Sequence, residues 1–190
     1  MKKIVSIVIV IAVIGTAVLV FTKQHGNSKG ADSSTSPVIK SEATKENIAE
    51  ISQYKYTQRY ADTSNHFSFN YPADFTITNL PADNGATAIL VQSIPKHVGV
   101  QILVTPYTDT EVDMTADIIH ASIPDIEIHD SQPVNVRPTR KGLAFISDNK
   151  SFGGQSREVW FIFGGNLYQI STYLELDDFL KGIFATWQFK

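Results

Sequence analysis

The residues with chemical potential in this chain are few and scattered. The C-terminal part carries four histidines, His66, His97, His120 and His129. None is spaced four residues from a second histidine, or stands in any other recognised metal-ligand spacing, so no metal site is read from them. His129 stands next to Asp130. With His66, these are the candidates for proton transfer, and they can work as acid and base only if the fold gathers them in one concave pocket. Asp109-x-Glu111-x-Asp113 has the alternation that opens a calcium loop, but Met114 stands where the loop needs glycine and His120 where it needs glutamate. Acids near the start of a helix account for that stretch. No nucleophile elbow, zincin helix, phosphate loop or dinucleotide fingerprint is present. Gly153-Gly154 and Gly164-Gly165 read as turn glycines. No catalytic residue, cofactor or metal is assigned.

Two groups form a candidate interaction surface. Arg137, Arg140 and Lys141 cluster around Pro138 in a turn that can meet anionic headgroups or an acidic partner, or simply face solvent. Tyr54, Tyr56 and Tyr60 alternate, suiting either core packing or a contact patch. From Lys55 onward there are 10 Lys and Arg against 15 Asp and Glu, whereas the first 54 residues carry 6 against 4. An acidic domain repels phosphate backbones, which argues against nucleic acid as a partner. Cysteine is absent, which excludes disulfides, thiolate zinc sites, thiol nucleophiles and a lipidated cysteine.

The elements that must position these residues begin at Tyr54. His66 to Tyr71 alternates aromatic and polar residues, as a half-buried strand does, and Pro72 ends it. Phe75 to Ile77 is extended. Ala88–Ile94 and Val98–Thr105 predict a hairpin, with Pro95 and Gly99 in the connection. Asp113–Ser122 predicts a helix capped by Asp113, and Pro124 ends it. Glu127–Val136 and Gly142–Ile146 predict strands. Val159 to Phe163 is apolar on both faces, so it predicts a central strand covered on both sides, returning through Gly164-Gly165-Asn166 into Leu167–Ile170. Leu176–Trp187 predicts an amphipathic helix on the sheet, with Asp177 and Asp178 in its first turn. Together they make an α+β domain with a mostly antiparallel sheet, one mid-chain helix and one C-terminal helix.

The run Phe67-Ser68-Phe69-Asn70-Tyr71-Pro72 resembles the F-x-F-x-Y-P opening of PsbP-like domains. The final helix with Thr186-Trp187-Gln188-Phe189 is similar to the ending of the same family, and the order of elements agrees over most of Tyr54 to Lys190. Phe75 stands where family members often carry tryptophan. The resemblance implies a fold. It transfers no activity and no functional residue. Known members include extrinsic subunits of photosynthetic complexes and accessory or uncharacterised envelope proteins.

Ahead of the domain, Ile4–Thr22 is an uncharged run of 19 residues. As a helix it spans about 28 Å, close to the ~30 Å of a bilayer core. It exceeds a signal-peptide core and lacks a small-x-small cleavage pattern after it. The expected organisation is therefore a cytoplasmic segment 1–3, a transmembrane signal-anchor 4–22, a flexible polar linker 23–53 and a globular domain 54–190. Within the linker, Ser41–Ile51 suits a short helix. Lys2 and Lys3 favour an extracytoplasmic C-terminal domain, tethered to the cell membrane by a single pass. The expected function is a non-enzymatic accessory or binding domain, with the bilayer and a membrane or envelope complex as partners. The alternatives are a small-ligand carrier with a pocket between sheet and helix, or an envelope enzyme with a site assembled from scattered residues.

Overall fold

The computed structural model of the chain describes residues 54–149, 152 and 154–190. The expected anchor 4–22, linker 23–53 and Ser41–Ile51 helix, and the Gly153 half of the first glycine pair, lie outside them. Among the described residues no helix is long and apolar enough to cross a membrane.

Among the described residues, ten strands and two α-helices form three layers. The strands are β1 (Gln58–Asp62), β2 (Phe67–Tyr71), β3 (Thr76–Pro81), β4 (Thr87–Ser93), β5 (Val98–Pro106), β6 (His129–Arg137), β7 (Arg140–Asn149), β8 (Gly154–Phe163), β9 (Asn166–Tyr173) and β10 (Gln188–Phe189). Helix α1 (Ala116–Ser122) lies between β5 and β6, and α2 (Asp177–Ala185) lies between β9 and β10. A seven-stranded sheet has the order β3-β4-β5-β9-β8-β7-β6, and a three-stranded sheet the order β1-β2-β10. Every pairing is antiparallel.

The α+β architecture is the one expected, and strand β8 shows why. Val159 and Phe161 bury into one core with α2 and the small sheet, while Trp160 and Ile162 bury into the other with α1. A strand that alternates between two cores must be apolar on both faces. Its return is a tight turn in which Gly164 (φ 60°) and Gly165 (φ 72°) both take left-handed backbone, as a two-residue hairpin requires.

Several local expectations need correction. Helix α1 begins later than Asp113: Thr115 caps it, its hydroxyl accepting from the Ile118 amide at 3.4 Å. Asp113 instead accepts the Lys141 amide at 2.9 Å. Gly99 lies inside β5, where an added Cβ would fall 2.9 Å from the Val91 carbonyl, so it serves close strand approach and not the turn. The connection itself is a 3-10 turn, Ile94–Lys96, closed by His97 in left-handed backbone. Strand β7 runs well beyond Gly142–Ile146, and β1 and the short β10 were not anticipated.

Candidate functional site

The acid–base candidates do not converge. His66, His129 and Asp130 are all exposed. His66 and Asp130 adopt positive φ (57° and 46°), as does His97 (52°), so they occupy tight backbone positions that histidine and aspartate tolerate better than most residues. His129 Nε2 lies 3.2 Å from Glu127 on the surface. Among the described residues no group of three or more His, Asp or Glu side chains is arranged to hold a metal ion.

The acidic stretch and the basic turn, read separately in the sequence, face each other. Arg140 donates to the Glu111 carbonyl at 3.2 Å and lies 3.7 Å from the Glu111 carboxylate and 3.8 Å from that of Asp113. Glu111 also accepts the Gly165 amide at 2.7 Å. The loop before α1 is thus fastened to two hairpin turns. Arg137 donates to the Phe189 carbonyl at 3.0 Å and stacks over Phe163 and Phe189. Lys141 remains exposed.

The three tyrosines are half-buried and pack inward. Tyr54 meets Phe75 edge-on at 5.4 Å, Tyr56 lies over Phe179, and Tyr60 sits 5.2 Å from Phe69. Tyr56 donates to the Phe179 carbonyl at 3.0 Å and Tyr60 to Asn79 Oδ1 at 3.1 Å. Burial pushes both phenols up to about 12.

A concave feature lies elsewhere among the described residues. A cavity of about 280 Å³ opens between α2 and the β6-β7-β8 end of the large sheet. Asp177, Leu180, Lys181 and Phe184 line it from the helix, at the three- and four-residue spacing that puts side chains on one helix face. Arg157, Val159 and Phe161 line it from alternate positions of β8, with Ala144 beside them on β7. Val134 and Val136 on β6, with Trp187 and Phe189 after the helix, complete the apolar wall, and Gln132 and Asn135 add polar groups. Arg157 is 13% exposed, and its Nε lies 3.0 Å from Asp177 Oδ1. That contact is an ion pair without hydrogen-bond alignment: Arg157 Nε and Nη1, and the indole N–H of Trp187, are buried donors with no hydrogen-bond partner among the described residues. Lys181 Nζ reaches Asp177 Oδ2 at 3.0 Å.

A second polar cluster lies on the opposite face. Glu158 is 3% exposed. Its carboxyl oxygens receive Ser156 Oγ and Ser171 Oγ at 2.5 Å each, Trp160 Nε1 at 3.3 Å and Ser147 Oγ at 3.5 Å. Burial raises its pKa, and these hydrogen bonds pull the other way.

No protein-family model matches the chain, and no curated protein matches it. Among solved structures, the solution structure of cyanobacterial PsbP (CyanoP) from Synechocystis sp. PCC 6803 is similar to it, with a TM-score of 0.50 and 10% sequence identity. The match covers 70% of this chain and 92% of that one. The fold is PsbP-like. At this identity the likeness extends to the fold alone, so the cavity and the Glu158 cluster of the PsbP-like domain are argued from its own side chains.

The sequence offers a pocket between sheet and helix as an alternative but not its residues, and it does not point to the Glu158 cluster. Asp177 reads there as a helix-start acid, and Arg157 stands just ahead of the apolar run Val159 to Phe163. The signal for the cavity was joint: a charged residue at an inward strand position, and Asp177 and Lys181 on the same helix face as Leu180 and Phe184. For Glu158 the signal was an acid flanked at alternate positions by serine and tryptophan inside an apolar strand.

Proposed function

We propose that this chain is a membrane-tethered, extracytoplasmic binding protein whose PsbP-like domain holds a small, largely apolar ligand between α2 and the sheet. The observation that carries the reading is the cavity. Its walls are valine, leucine and aromatic side chains with a few polar groups, which is the usual composition of a small-ligand site. Its volume of about 280 Å³ stands just under the ~300–1,000 Å³ common for such sites. The tether is supported by the uncharged run 4–22 and the polar segment 23–53. The fold suits an accessory role within an envelope complex, and the anchor would hold the ligand-bearing domain near such a partner.

The test is recovery of the tagged full-length chain from its own membranes, followed by native mass spectrometry. A retained small molecule that is lost in the cavity-filling variant Ala144→Leu supports the reading. An empty chain crosslinked reproducibly to one membrane complex would replace ligand carriage with a purely accessory role.

A further inference from the structure

We infer that the ligand is a small organic carboxylate with an elongated apolar body, its carboxylate toward Arg157 and Lys181 and its apolar end against Trp187 and Phe189. This rests on the reading of the cavity as a ligand site and adds the chemistry and direction of its occupant.

The direction follows from how helix and strand run. Asp177, at the start of α2, pairs with Arg157 near the start of β8. Phe184, near the helix end, lies 6.4 Å ring to ring from Phe161, further along the strand. Trp187, just beyond the helix, lies 6.2 Å from the same ring. Helix and strand therefore run alongside each other in the same sense. Arg157 to Phe161 covers about 13 Å of strand, and Asp177 to Phe184 about 10 Å of helix. The cavity between them is charged at one end and aromatic at the other. A wholly apolar ligand would strip water from Arg157 and Lys181 and replace nothing. A wholly polar one would gain nothing from the aromatic end.

The sign of the head group follows from the charges on the wall. Among the described residues two cations, Arg157 and Lys181, and one carboxylate, Asp177, line the cavity; Lys181, 66% exposed, also reaches Asp178 Oδ1 at 3.0 Å outside that lining. Arg157 Nε and Nη1 are buried and carry no hydrogen bond among the described residues, so it is the permanent charge of the guanidinium that a carboxylate at this end would answer. A cationic head would meet two like charges. A neutral amide would satisfy a donor but leave the charge unanswered. The ~10–13 Å of helix and strand alongside suits one ring on a short tether.

4-Phenylbutyrate is the probe, and 4-phenylbutanamide its neutral counterpart. The chain has two tryptophans, of which Trp187 lines the cavity and Trp160 packs in the other core. Full-length protein labelled with 5-fluorotryptophan therefore gives one fluorine signal at the site and one away from it, assigned with Trp187→Phe. Phenylbutyrate is expected to shift the Trp187 signal and leave Trp160 in place, with the amide binding at least tenfold more weakly. Arg157→Gln is expected to abolish that preference while the unchanged Trp160 signal reports an intact fold. Equal binding of acid and amide, or a preference that survives Arg157→Gln, overturns the carboxylate assignment and leaves the cavity as an apolar site. A Trp187 signal that neither compound moves at millimolar concentration overturns both this inference and the cavity reading.

Discussion

Arg157 Nε and Asp177 Oδ1 lie 3.0 Å apart, joining the start of the last helix to the central part of the sheet across one end of the cavity. The side chains are 13% and 31% exposed, so the pair is partly desolvated. Removing one charge of a buried pair strands the other and costs about 3–5 kcal/mol, and solvent access here reduces that.

Asp177→Asn keeps the side-chain shape, removes the charge and puts an amide NH2 donor in place of one carboxylate oxygen. It is expected to destabilise the protein by about 2 kcal/mol, because the Arg157 guanidinium is left without a counter-charge. Adding Arg157→Met should recover about half of that loss, since the stranded cation is then gone. Urea unfolding midpoints of the two variants measure both effects. A double variant less stable than Asp177→Asn alone would mean that Arg157 is held chiefly by packing.

Glu158 gives the stability a pH dependence. Burial raises its folded pKa above the ordinary value of 4.5. The folded state then keeps the proton at pH values where the unfolded chain has released it. This contribution to stability is fully present below 4.5 and is lost as the pH rises through the folded value. Glu158→Gln keeps an oxygen for Ser156, Ser171 or Trp160 and has no charge to bury. Its stability is expected to match the parent near pH 4 and to exceed it at pH 8, with the difference opening upward. Urea unfolding at a series of pH values checks the sign. Glu158→Ala should instead cost about 2 kcal/mol near pH 4, because it leaves the buried donors around it without an acceptor, and less as the pH rises and the parent loses the Glu158 contribution.

The fold was legible in the sequence where period and turn chemistry agree. The β8–β9 hairpin follows from an apolar run, a Gly-Gly-Asn turn and a second apolar run, and α2 follows from helical spacing behind two acids. Strand β1 was hidden because Gln58, Arg59 and Ala61 are exposed, so only Tyr60 and Asp62 report any burial. Strand β10 has two residues, too few for a period. Residues that lie apart in the chain defeated the reading of the sites. Glu111 and Asp113 are far in sequence from Arg140, and neither segment indicates that they neutralise each other. The cavity depends on Arg157 and Asp177 meeting across a helix–sheet interface, a relationship set by tertiary packing and absent from any local window.

Gly182 and Tyr56 hold the segment ahead of β1 against α2. A Cβ at Gly182 would fall 2.1 Å from both Cζ and the hydroxyl of Tyr56. Tyr56 precedes β1, yet its ring lies over Phe179 and its hydroxyl donates to the Phe179 carbonyl at 3.0 Å. The segment ahead of the first strand is therefore docked on the last helix, with glycine giving it room. Gly182→Ala is expected to cost about 2 kcal/mol, as overpacking a filled contact does. In a Tyr56→Ala background the obstacle is gone, and the same substitution should stabilise by about 1 kcal/mol, because alanine favours a helix interior over glycine. The reversal of sign is the decisive result, read from urea midpoints of the four proteins. If Gly182→Ala destabilises equally in both backgrounds, the glycine serves the helix itself, and Tyr56 is not what holds the domain's first segment to α2.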